Sequence, residues 1–141
     1  MSGRGSLFEI FRRDAAIRRL DAVLSEIEMN LGVQKAINDT IQANIEREKK
    51  KEKLQYPTLR FMMTGVELLW TDRYVDEDQS FFAIARSYLS HAMAVNQMLN
   101  KWSFVGGVDQ WWSGEEIKWN RIVEKFKPVV VAARDKLSKR F

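Results

Sequence analysis

The amino-acid sequence predicts an all-α protein: a helical bundle with a long N-terminal amphipathic, coiled-coil-like helix or helical hairpin. Three observations carry that expectation. Apolar residues recur at alternating steps of three and four over most of the chain, the spacing of a helix seam. Two prolines and seven glycines in 141 residues leave little turn chemistry for many short strands. Capping patterns also precede several of the periodic stretches. At 45% apolar and 30% charged residues the composition is that of a globular chain. A domain of this length buries roughly two-thirds of its unfolded surface, enough for a core.

The first element follows from Ser6-Leu7-Phe8-Glu9, which matches a capping box. Residues 1–6 are accordingly expected to be a flexible lead-in, and 7–55 a helical arm. Ile10, Ile17, Leu20, Leu24, Ile27 and Leu31 form the seam, with Ala16 and Val23 widening it. A second stripe, Val33, Ile37, Ile41 and Ile45, follows at steps of four, so the spacing implies a change of register at Asn30-Leu31-Gly32. Gly32 is either the residue that ends a first helix or a point inside one longer helix. The absence of a polar loop around it favours a continuous or kinked helix. Residues 46–53 contain no apolar side chain, yet Glu46 and Lys50 suit an i,i+4 pair, so the helix is expected to run on until Tyr56-Pro57.

Residues 57–141 are expected to form the bundle proper. Thr58 can cap a short helix over 59–72, with Met62, Val66 and Leu69 or Trp70 inward. Asp76-Glu77-Asp78-Gln79 marks the start of a helix over 77–102. Its stripe is Phe81, Ala85, Tyr88, Ala92, Val95, Leu99 and Trp102. Further apolar residues lie off the stripe, which places this helix at the bundle centre. Val105-Gly106-Gly107-Val108 reads as a loop. Ser113-Gly114-Glu115-Glu116 opens the last helix, whose stripe is Trp119, Val123, Phe126, Val130, Ala133 and Leu137; Pro128 should kink or restart it.

Chemistry is sparse along this frame. With no cysteine, there is no disulfide, thiol nucleophile or thiolate metal site. His91 is the only histidine. Tyr88 stands where a carboxylate-bridged metal bundle would need glutamate, so His91 reads as a structural, hydrogen-bonded residue. Glu67, Asp72, Asp76, Glu77 and Asp78 lack a calcium-loop spacing, and three of them are accounted for as helix-start acids. Gly106-Gly107 is too short for a phosphate cradle. No catalytic residue, metal ligand or cofactor site is assigned.

What remains points to binding. A lone helix exposing Ile17, Leu20, Leu24, Ile27 and Leu31 would leave a large apolar patch. It must therefore pack on the bundle or on a second copy. Self-association is the first expectation, together with a protein partner. Trp111 and Trp112 are adjacent beside the glycine loop and extend the candidate face. The alternative is nucleic-acid binding through Arg12, Arg18, Arg19, Lys49, Lys50, Lys51 and Lys53. Acids are interleaved with these bases, which favours a solvated face. A small helical enzyme ranks third, and peripheral membrane contact through the tryptophan pair ranks low. The net charge of +4 is divided between the two ends, around an acidic middle. With no apolar run of spanning length and no signal-peptide core, a cytoplasmic location is expected.

Overall fold

A computed structural model describes the backbone of residues 3–72 and 79–139, and the side chains of 7–72 and 79–139. Among these residues the chain forms four α-helices and no strand: α1 (Gly3–Lys49), α2 (Thr64–Leu68), α3 (Gln79–Lys101) and α4 (Val108–Ser138). A single 3-10 turn, Leu69–Thr71, extends α2. The all-α bundle with a long N-terminal helix is therefore the architecture adopted. No helix among the described residues is long and apolar enough to cross a membrane.

Of the two alternatives at Gly32, α1 takes the long helix, running unbroken through the glycine. The register does not change there. Ala16, Leu20, Val23, Ile27, Asn30, Val33 and Ile37 are all buried, and Asn30 fills the seam position that an apolar count leaves vacant. The helix also begins earlier than expected. Its backbone is helical from Gly3, so Ser6 lies inside it and residues 1–6 are not wholly a lead-in.

It ends earlier too. The helix stops at Lys49 rather than continuing to Tyr56. Lys51 adopts a left-handed φ of 55°. The Glu52 amide donates to the Arg47 carbonyl (2.8 Å) and the Lys51 amide to that of Glu48 (3.1 Å). These are the 6→1 and 5→2 bonds of a Schellman ending, made here without glycine. The run 46–53 has no apolar side chain to extend the core, so tertiary packing offers nothing to hold further helix there.

Residues 52–63 then return as an extended strap instead of a helix from 59. Thr58 is not a cap, α2 starts only at Thr64 after Met63, and Met62 and Trp70 are exposed. Val66 and Leu69 are buried as expected. The strap's polar backbone is bonded by side chains. Asn96 accepts from the Phe61 amide (2.8 Å) and donates to its carbonyl (2.9 Å). Asn30 does the same for Met62 (2.7 and 2.9 Å), and Asn44 for Gln55 (3.0 and 2.7 Å).

α4 is the element packed on both sides, by α1 and by α3. It begins at Val108 behind Gly107, whose φ of 77° suits glycine. Ser113 is thus helical interior, not a start, and α4 continues through Pro128. On α3 every expected stripe residue from Phe81 to Leu99 is buried. Yet Ala83, Arg86, Ser87, Ser90, Met93 and Gln97 face solvent, so α3 is a flank and not the surrounded centre. The start expected at 76–79 lies largely outside the described residues. An aromatic chain fills the interior, its rings packed at a tilt: Phe61 against Trp119 (centroids 4.5 Å), Trp119 against Tyr88 (4.8 Å) and Tyr88 against Phe126 (4.9 Å).

Candidate interaction surface

α1 and α4 run antiparallel, and their polar pairs set the register. Asp21 pairs with Arg134, and Glu28 with Lys127 at 2.8 Å, seven residues on in one helix and seven back in the other. Gln34 donates to Asn120 and Glu116, both at 2.8 Å. Continued toward its N-terminus, this register carries residues 7–13 of α1 past the last described turn of α4. The exposed side chains of this stretch are Leu7, Phe8, Glu9, Phe11 and Arg12, while Ile10 and Arg13 are partly buried. Leu7, Phe8 and Phe11 are 62%, 63% and 71% exposed, and they share one face at helical spacing. The Arg12 guanidinium sits 5.0 Å from the Phe8 ring centroid and makes no ion pair among the described residues.

The seam residues expected to form an interface are largely occupied within the chain. Leu20 and Ile27 are fully buried, Ile17 and Leu24 are half-buried against the core, and Leu31 is exposed. Trp112 is buried and its indole N–H donates to Asn38 (2.9 Å), while Trp111 is half-buried against the core. Neither tryptophan stands free. Because α4 starts at Val108, both lie on a helix, and one of the pair takes the inward position.

At the opposite end of the molecule the end of α1, the strap and the α3–α4 loop enclose a groove of about 440 Å³. Ile41, Ile45, Leu54, Tyr56, Trp102 and Val105 line it. Its only charged lining residues are Glu48 and Asp109, and neither makes an ion pair among the described residues. Phe104, 88% exposed, stands on its rim.

The basic residues do not converge. Arg12 and Arg18 are exposed near one end of α1; Arg19 is bound to Thr71 (3.1 Å) and to Asp72 (3.3 Å). Lys50, Lys51 and Lys53 are exposed near the other end, where Lys49 pairs with Glu46 at 3.4 Å. Some 31 residues of helix separate Arg18 from Lys49, ~45 Å at the helical rise. His91 Nδ1 lies 2.9 Å from Glu115 Oε1, and Lys118 is 3.7 Å from the other carboxylate oxygen. No cluster of three or more metal-ligating side chains occurs among the described residues.

Leu7, Phe8 and Phe11 share a helix face by their spacing, but Ser6–Glu9 matches a helix start, and that match masks the signal. The groove had no comparable signal, since its walls come from three separated segments. Comparison of the chain with protein-family models, with curated proteins and with solved structures finds no match.

Proposed function

We propose that this chain is a non-enzymatic helical interaction module that self-associates through the N-terminal end of α1 and, as that assembly, binds a protein partner. The observation that carries the reading is the contiguous exposure of Leu7, Phe8 and Phe11 on turns of α1 that lie past the last described turn of α4. Fully burying side chains of this kind contributes about 1.5–3 kcal/mol each. A contiguous apolar patch on a helix end is a common mark of an interaction site. The interface thereby moves from the seam at Leu20 and Ile27, which α4 and α2 cover, to the turns before it.

Nucleic-acid binding is the weaker reading, because its candidate bases are split between two ends and two of them are already paired. An enzyme ranks third: His91 and Glu115 are in contact, but no nucleophile or substrate cleft is identified beside them. The cysteine-free composition fits the cytoplasmic location that this reading assumes.

Sedimentation velocity over a concentration series tests the proposal. The wild-type chain is expected to associate, and Phe8→Ser/Phe11→Ser to sediment as a monomer with unchanged helical circular dichroism. A wild-type chain that stays strictly monomeric at the highest concentrations would overturn self-association.

A further inference from the structure

We infer that the exposed turns of α1 dock into the groove at the far end of a second copy of this chain, so that assembly is head-to-tail. The inference rests on the self-association proposed above and names the surface that receives it. An exposed apolar protrusion and a groove of mixed polar and apolar lining lie at opposite ends of the molecule. Leu7, Phe8 and Phe11 form the protrusion; Ile41, Ile45, Leu54 and Trp102 belong to the wall of the concavity.

Their charges are complementary. Arg12 borders the protruding face and has no carboxylate partner among the described residues. The groove presents two carboxylates, Glu48 and Asp109, that likewise lack a cation. Seating Phe8 and Phe11 among the apolar walls would bring Arg12 to the acidic edge, where a guanidinium–carboxylate pair forms. Glu9 would then approach the lysines that follow Glu48 in the chain. An anionic bilayer is disfavoured as the occupant, because the charges lining the groove are negative. A two-fold contact between two protrusions is disfavoured as well, since it would leave Glu48 and Asp109 of the groove without a cation.

The geometry has a consequence for assembly. A contact between different surfaces of identical chains does not stop at two copies unless the rotation closes a ring. It therefore yields a ring or an open-ended series.

The test uses the full chain in three forms: wild type, the protrusion variant Phe8→Ser/Phe11→Ser, and the groove variant Ile45→Ser/Phe104→Ser. All four substituted side chains are substantially exposed, and circular dichroism with a thermal melt establishes that each variant is folded. Sedimentation velocity is expected to show wild type growing beyond a dimer with concentration. Each variant alone should associate at least tenfold more weakly. An equimolar mixture of the two should form a dimer and stop there, because it contains only one intact protrusion–groove combination.

If the groove variant associates as wild type does while the protrusion variant does not, this inference falls and the self-association reading stands. If folded variants are each monomeric but their mixture stays monomeric, the inference also falls. A wild-type chain monomeric throughout overturns both.

Discussion

Glu26 is a carboxylate that the fold removes from water and then bonds. It accepts the amides of Gly65 (2.9 Å) and Val66 (3.1 Å) at the start of α2, so a side chain of α1 supplies the cap that the local sequence lacks. Burial raises its pKa above the ordinary carboxylate range; the two amide bonds oppose this, and Glu67 adds to it. A group whose pKa is raised on folding adds stability at low pH, below its unfolded value. That contribution is lost as pH climbs through the folded value. The stability of wild type relative to Glu26→Gln should therefore fall as pH rises from about 4 toward neutrality, as urea denaturation at each pH would measure. Two glycines should respond in opposite senses, only one of them because of this contact. A Cβ at Gly65 would lie 3.2 Å from the Glu26 carboxylate, whereas one at Gly32 meets nothing within 4 Å. Gly65→Ala is expected to cost about 1 kcal/mol by crowding that cap. Gly32→Ala should gain about 0.5–1 kcal/mol by stiffening the unfolded chain in an open helical site. Equal and opposite shifts in thermal midpoint would not be needed; the two signs are the prediction.

At the scale of elements the strap is the least expected feature and the one most dependent on single side chains. Three asparagines, at 30, 44 and 96, each bond both backbone groups of one strap residue, as a neighbouring strand would. Asn30 also donates to the Tyr88 hydroxyl at 2.7 Å, tying α1 to α3 through the strap. That contact is buried, and desolvation drives the Tyr88 pKa upward, so the phenol stays neutral. Asn30→Ala would strip partners from the Met62 amide and carbonyl and from that hydroxyl. Leaving buried polar groups unbonded costs about 1–3 kcal/mol each without full additivity, so a loss of about 3 kcal/mol is expected. Hydrogen exchange should place the damage. The Met62 amide would lose protection most, while Phe61, held by Asn96, would retain more. Uniform loss across all helices would instead mark global destabilisation, with no special part for this clamp.

Across the whole molecule the aromatic chain through Phe61, Trp119, Tyr88 and Phe126 joins strap, α4 and α3 into one core. Trp119 is its centre, fully buried, with an indole N–H that has no acceptor among the described residues. Trp119→Ala is expected to cost about 3–5 kcal/mol. The loss should appear as one earlier transition in both circular dichroism and fluorescence, because the elements share that ring. Trp119→Phe should cost far less, since the N–H it deletes has no acceptor among the described residues. Trp112→Phe should cost more than Trp119→Phe, because it leaves Asn38 without the indole donor. By contrast the surface pairs between α1 and α4 are worth at most about 1 kcal/mol each, so they set register more than stability.

The sequence by itself determined that three long helices form, though not where each begins and ends, and which face of α3 turns inward. On α3 the stripe from Phe81 to Leu99 is buried as its spacing demands, because which residues share a helix face depends only on 3.6 residues per turn. The apolar turns around Phe8 were legible in the same way. Three matters were decided only in the tertiary structure. Asn30 belongs to the core because Met62 and Tyr88, 32 and 58 residues away, meet its amide there. Residues 52–63 are extended because distant asparagines bond their backbone, an alternative to helix that local propensity does not register. And the seam at Leu20 and Ile27 is covered because α4 lies antiparallel along it, which leaves Leu7, Phe8 and Phe11 among the exposed apolar side chains. Periodicity says which side chains must leave water; only the packed chain determines which of them its own helices can cover.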